Sequence, residues 1–307
     1  MNLALLAAAA AGVQVGVATV ASRFVLAEVA PLTLAMLRYA IGLVCLLPFL
    51  LVAMLRHPRP APGAAHANST RGFVAIDWVV MALLGIGQFG ILVAALNYGL
   101  QFVSAVRAAL IFSLFPLLTV MLSSALGYER VTPALLGGVL ISIFGVSLAL
   151  WPSLSAPGQR HWVGELAVLA SALVGAICSV LFRPYLQRYP TLQVSTFSML
   201  ASVLFLGIAA LPEAWPSHLG TLRVQVWAVV IFIGFSSALG YLAWLYALKH
   251  EPATRVTVFL ALNPLTAAVL GQLLLAEVVD RWTVAGTGFV VLGLWLVNRK
   301  ERGGAQG

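Results

Sequence analysis

Nine carboxylates and five histidines are all that this chain of 307 residues offers for acid–base or metal chemistry. The acids are Glu28, Asp77, Glu129, Glu165, Glu213, Glu251, Glu277, Asp280 and Glu301, and each falls at the end of a long apolar run or in a joint between two runs. His57, His66, His161, His218 and His250 are placed in the same way. No HExxH, GxSxG or close pair of acids occurs, and Cys45 and Cys178 stand alone inside apolar runs. The pattern reads as no enzyme, with no metal and no cofactor. What the apolar runs do contain is a set of uncharged polar side chains. Gln14 stands in the first run, Gln88, Asn97 and Tyr98 in the third, Ser236, Ser237, Tyr241 and Trp244 in the eighth, and Asn263 in the ninth. Amides, hydroxyls and aromatic faces bind small molecules reversibly and break no bonds. Each alone is more often a hydrogen bond between helices. Together they predict a mostly apolar pocket with a few polar points.

Three cations and two prolines complete the candidate set. Arg38 is the one charge well inside a run; it is counted with the gate or rim residues, and an arginine there is either a ligand for cargo or a packing pin with a snorkelling head. Arg107 and Arg255 stand near the starts of the fourth and ninth runs, as rim or gate residues on opposite faces of a membrane, or as interfacial anchors. Pro116 and Pro264 each remove a backbone hydrogen bond at mid-run, so the freed carbonyls need a neighbouring helix or a wet cavity.

The elements that position these residues follow from composition and from an internal repeat. Hydrophobic residues make up 62% of the chain and charged residues 8%, with mean hydropathy +1.02. A soluble domain carries about a quarter charged residues, so the solvent of this chain is lipid. Ten apolar runs reach the length of about 20 residues that a spanning helix needs: 3–26, 31–55, 76–100, 104–126, 133–151, 163–185, 192–211, 224–248, 253–275 and 282–298. An offset of 148 residues carries Arg107 onto Arg255, Pro116 onto Pro264, Glu129 onto Glu277, Gly138 onto Gly286 and Gly145 onto Gly293. Near the start of each half, an offset of 159 carries Gly16 onto Gly175 and Pro31 onto Pro190. Self-similarity of this kind divides the chain into a first five-helix repeat at 1–151, a connection at 152–162 and a second repeat at 163–307. Residues 56–73 form the long polar linker.

Five spans per repeat is an odd number, so the second repeat enters the bilayer upside down relative to the first. Basic residues favour the inner side of a membrane. With the N-terminus inside, that side collects Arg56, Arg59, Arg71, Arg130, Arg183, Arg188, Lys249, Arg255, Arg299, Lys300 and Arg302, against Arg23, Arg107, Arg160, Arg223 and Arg281 outside. Both termini are therefore expected in the cytoplasm. The first run lacks a basic leader and exceeds a signal peptide's apolar core, so it reads as a retained span. The net charge of +8 has no basic run with interleaved aromatics behind it, which excludes nucleic acid as partner. Abundant alanine, and arginine in preference to lysine, point to the inner membrane of a GC-rich bacterium. Inverted repeats are a transporter's architecture, with the site near the midplane between the halves.

The stretch from Arg255 to Arg299, with Asn263-Pro264, Leu275-Ala276-Glu277 and a glycine-spaced last helix, resembles the EamA family of the drug/metabolite transporter superfamily. Arg107 to Leu148, with Phe115-Pro116 and Tyr128-Glu129, is similar to the same pattern, as is PLTLAMLR from Pro31 to Arg38. The resemblance implies an all-α polytopic membrane protein, with ten transmembrane helices in two inverted five-helix repeats around a central cavity. It implies export of small metabolites, read here as amphipathic compounds such as amino acids moved by alternating access; the chain is expected to work as a monomer in the bilayer. Val15-Gly16 departs from the family, whose members often carry a tryptophan before that glycine. The alternative class is a non-transporting membrane scaffold or partner subunit.

Overall fold

The computed structural model describes residues 3–56, 75–127, 133–154, 161–276 and 280–299. The body of the polar linker, Glu129, Arg130, Glu277 and the tail from Lys300 lie outside the described residues. The described residues form an all-helical, polytopic membrane protein, with eight helical segments long and apolar enough to cross a bilayer. Leucine, isoleucine, valine and phenylalanine stand on their outer faces, among them Phe49, Ile208, Val224 and Leu273. Only lipid makes that surface stable.

Helix α1 spans Leu3–Val25 and α2 Pro31–Arg56. Pro31 occupies the first turn of α2, where its missing N–H would be unpaired in any case. The third span is interrupted: α3 (Ala75–Gly85) passes through a π-helical turn at Ile86–Ile91 into α4 (Leu92–Gly99). The fourth is broken as well, into α5 (Ala105–Phe112) and α6 (Phe115–Ala125), with Ser104 capping α5 by accepting from the Arg107 N–H. Helices α7 (Pro133–Leu154), α8 (His161–Arg188), α9 (Thr191–Ala209) and the short α10 (Trp215–His218) follow. Then come α11 (Val224–His250), α12 (Ala253–Thr257), a 3₁₀ turn at Val258–Ala261, α13 (Leu262–Leu275) and α14 (Arg281–Arg299). The breaks in the fourth and ninth spans each lie next to a proline. Pro116 stands at the second position of α6 and Pro264 at the third of α13, where a missing N–H costs no helical bond.

Packing runs in exchanged pairs. Helix α1 lies on α11 and α13, and α8 lies on α4 and α6. Helix α2 packs on α9 and α11, and α9 on α2 and α3. Helices α7 and α14 pack chiefly on each other, to one side of the rest. Small residues allow the close approaches that stabilise helix pairs in lipid. A Cβ on Gly16 would stand 2.6 Å from the Thr266 Cβ and 3.0 Å from the Asn263 carbonyl oxygen; one on Gly175 would stand 2.1 Å from the Phe115 ring. The interior between the helices is seeded with buried serines, including Ser171, Ser195, Ser198, Ser202 and Ser237. Ser198 donates across to the Met81 carbonyl at 3.2 Å, joining α9 to α3.

Candidate substrate cavity

One narrow cavity, about 40 Å³ in volume, lies where α1, α2, α4, the α5–α6 break and α11 converge. Its polar lining consists of Gln14 and Thr19 from α1, Arg38 from α2 and Gln88 from the π-helical turn. Phe112 and Phe115 flank the α5–α6 break, and Tyr241 and Trp244 supply aromatic faces from α11. Leu92, Val93, Leu96 and Leu260 complete an apolar wall. The π turn has one extra residue per turn in the backbone ladder, which turns the side chain of Gln88 inward among glycines at 87 and 90.

The polar groups are organised around Arg38. The residue is 4% exposed, its Nε–H donates to Ser237 Oγ at 2.7 Å, and its Cζ lies 5.6 Å from the Tyr39 ring centroid. Ser237 passes its own proton to the Ile233 carbonyl, so its lone pair is free for the guanidinium. Gln14 reaches across from α1 with Nε2 at 3.4 Å from both Ser236 Oγ and Ser237 Oγ. Tyr39 Oη donates to Tyr241 Oη at 2.7 Å, and Phe89 stands edge-on to both rings, at 5.3 Å and 4.4 Å between centroids. Phe115 presents its edge to Trp244 at 6.1 Å. Two polar atoms of the lining, Gln88 Oε1 and Trp244 Nε1, have no hydrogen-bond partner among the described residues. Buried polar groups are normally satisfied, so these are the places where a ligand or water would bond.

The residues expected from sequence divide into those the cavity gathers and those it does not. Gln14, Gln88, Tyr241 and Trp244 line it, and Ser237 touches it through Arg38. Ser236 lies instead beside a groove on the outer face between α1 and α11, bounded by Val13 and Phe232. Arg38 is not at a rim. It is on the cavity wall, because its position two turns into α2 is level with the hydroxyls of α11. Tyr98 is 43% exposed and leans on Phe102 with ring centroids 5.2 Å apart, so it faces away from the cavity. Asn97 is buried but donates to the Pro31 carbonyl at 3.1 Å, fastening the start of α2 to α4. Asn263 is buried beneath Gly16 with neither side-chain polar atom hydrogen-bonded among the described residues, and it is not part of the cavity wall. Arg107 stands 3.7 Å from Asp280 and Arg255 3.4 Å from Glu251, both as ion pairs at helix ends. Pro116 and Pro264 are buried at the two span breaks.

Sequence reasoning passed over Phe112, Phe115 and Thr19. The first two flank the break that Pro116 imposes, and that proximity was the available signal. Thr19 carried none, since its hydroxyl folds back on the Val15 carbonyl at 2.8 Å like any helical threonine.

The sequence profile of the EamA-like transporter family matches residues 2–151 and 162–299. An uncharacterized transporter of Archaeoglobus fulgidus is 32% identical over 222 residues, which is 71% of this chain and 78% of the relative. A probable terminal-alkyne amino-acid exporter of Streptantibioticus cattleyicolor is 29% identical over 75% of this chain and 76% of its own length. The pseudopaline exporter of Pseudomonas aeruginosa is 26% identical over 67% and 70% respectively. A solved crystal structure shares the fold, with TM-score 0.67 at 21% identity, covering 98% of this chain and 97% of the other. The cavity therefore sits in a multi-pass membrane transporter, a protein that moves small molecules and is not an enzyme, and the chain belongs to the EamA-like transporter family.

Proposed function

We propose that the protein exports small amphipathic metabolites, amino acids or related compounds, across the bacterial inner membrane by alternating access. The observation that carries this reading is the central cavity itself: an apolar and aromatic wall interrupted by Gln14, Arg38 and Gln88 suits a solute with one polar end. Two relatives named as exporters support it, one of a terminal-alkyne amino acid and one of pseudopaline. The proposed frame is ten transmembrane helices in two inverted five-helix repeats, 1–151 and 163–307, with both termini cytoplasmic. The exchanged packing of α1 and α8, and of α2 and α9, supports that frame. So does the match of Gly16 against Asn263 to Gly175 against Phe115, since Phe115 and Asn263 are themselves related by the 148-residue offset. In such a frame the cavity opens to one face and then the other as the halves rock.

Counterflow of radiolabelled amino acids and their derivatives in sealed proteoliposomes tests the proposal. Exchange of at least one member of the panel, above protein-free vesicles, is the expected result. Vesicles that stay tight to the whole panel would return the protein to the scaffold class.

A further inference from the structure

Arg38 is a buried cation without a counter-ion. Among the described residues no carboxylate oxygen comes within 4.0 Å of it, and its one hydrogen bond to protein is the Nε–H to Ser237. A guanidinium has five N–H donors in a flat fork. Ser237, itself fully buried and not part of the cavity wall, takes the Nε side. The Nη edge is left for the cavity that Arg38 lines, and that edge matches a carboxylate in two parallel hydrogen bonds.

A packing pin would not need this charge. A neutral amide could hold Ser237 equally well, whereas desolvating a full cation costs several kcal/mol unless an anion arrives to offset it. The position that the 159-residue offset pairs with Arg38 is Phe197, so the chain supplies one cation of this kind and not two. One guanidinium matches one carboxylate; a doubly charged phosphate ester would leave charge uncompensated. The rest of the wall defines the remainder of the ligand. Phe112, Phe115, Tyr241 and Trp244 offer aromatic surface to an apolar body. Gln88 Oε1, buried and unpaired, is an acceptor for an N–H or O–H beside the carboxylate.

We propose that Arg38, oriented by Ser237, is the carboxylate-binding point of the cavity, and that its ligands are small monocarboxylates with an apolar or aromatic body. This deepens the exporter reading and rests on it for the direction and purpose of binding, though not for the binding itself.

The test uses purified full-length protein in lipid nanodiscs and matched pairs that differ only at the acid. The pairs are phenylacetate with phenylacetamide, L-phenylalanine with L-phenylalaninamide, and 4-methylpentanoate with its amide. Calorimetric titration should show each acid binding about tenfold or more tighter than its amide, the range of a charge-assisted hydrogen-bonded contact. Arg38→Gln should reduce that preference to less than about threefold, and Arg38→Lys should restore part of it. Ser237→Ala, which leaves the charge in place and removes its orientation, should weaken the acids more than the amides and so narrow the preference; it also serves if Arg38→Gln does not yield folded protein. Equal binding of acid and amide by the natural protein, binding of neither, or a preference that survives in Arg38→Gln overturns the proposal. Counterflow with the same pairs keeps the two readings apart. Acids that bind selectively but are not exchanged leave the site standing and remove the exporter, and exchange without preference does the reverse.

Discussion

Gly145 and Gly286 meet backbone to backbone where α7 crosses α14. A Cβ on Gly145 would stand 2.6 Å from the Gly286 carbonyl oxygen, and one on Gly286 would stand 2.4 Å from the Gly145 carbonyl oxygen. One helical stretch further on, Gly293 makes the same approach to the Gly138 carbonyl, at 2.5 Å. The 148-residue offset carries Gly138 onto Gly286 and Gly145 onto Gly293, so each contact is the other's counterpart with the halves exchanged. Between them Ser142 Oγ lies 3.4 Å from the carbonyl of Val290, its own counterpart by the same offset. Lipid tails are as apolar as leucine, so the pair depends on this closeness and not on a hydrophobic drive.

Gly145→Val or Gly286→Val should therefore force α7 and α14 apart. Overpacking of a tight contact costs about 1–3 kcal/mol, and the expected result is a lower midpoint in a fluorescence-detected thermal unfolding experiment in detergent. Neither helix lines the cavity, so ligand affinity measured well below that midpoint should hardly change. An unaltered midpoint for both variants would show that the two helices do not depend on their glycines.

The glycines and prolines of this contact and of the span breaks were legible in the sequence because the repeat displays them twice. Pro116 with Pro264, and Gly145 with Gly293, are backbone devices, and backbone devices are what a duplicated fold preserves. The cavity was only half legible. Gln14, Gln88, Tyr241 and Trp244 stand out as polar or aromatic side chains inside apolar runs, but so do Asn97 and Tyr98, which turn out to fasten helices or face outward. Which face of a helix looks inward depends on its rotation about its own axis. In a chain apolar on every side, periodicity carries little of that information. Arg38 shows the same limit. Its depth in α2 was readable, yet its setting opposite Ser237 of α11, 199 residues away, was not.

Glu213 holds the start of α2 from outside it. Its Oε1 accepts from the Leu32 N–H at 3.0 Å, and Oε2 accepts from the Thr33 N–H and hydroxyl, each at 2.7 Å. These are the unpaired donors of a helix N-terminus, where a negative charge is also favoured by the aligned peptide dipoles. Glu213→Ala should cost about 1–2 kcal/mol, as the loss of a good cap does. Glu213→Gln keeps acceptor geometry without charge and should fall between the two in thermal stability. An alanine variant as stable as the natural protein would remove the capping role.

The joint between α1 and α2 is tied to the start of α11 by Glu28, whose carboxylate accepts from Arg223 through Nε at 3.1 Å and through Nη2. Hydrogen bonding from the Arg223 guanidinium holds the Glu28 carboxyl below its ordinary value of 4.5. A carboxylate with a lowered folded-state pKa contributes stability above the unfolded value and loses it as the pH falls through the folded one. The difference in unfolding midpoint between the natural protein and Glu28→Gln should accordingly be present at pH 6, begin to shrink below about pH 4.5 and be lost as the pH falls through the lowered folded-state value. The pair faces solvent, so raising salt should shrink the same difference at pH 6. A difference that does not respond to pH would mean that Glu28 acts through packing and not through its charge.

Coupling is the property on which the cavity wall bears most directly. Its lining residues include one cation, Arg38, and amide, hydroxyl and aromatic groups, with no carboxylate or histidine among the described residues that form it. A carrier driven by protons needs a side chain that is protonated in one facing state and released in the other. Here the described carboxylates, Glu28, Asp77, Glu165, Glu213, Glu251 and Asp280, stand at helix ends or in joints. Flux through the purified protein in sealed vesicles should therefore follow the solute gradient and support counterflow. An imposed pH step should alter the rate without causing accumulation of a zwitterionic solute. Accumulation of that solute against its own gradient, driven by the pH step alone and absent from protein-free vesicles, would overturn this expectation. The first acid to replace would then be Glu165 near the start of α8, whose Oε1 is buried without a hydrogen-bond partner. Glu165→Gln should in that event abolish accumulation while leaving counterflow intact.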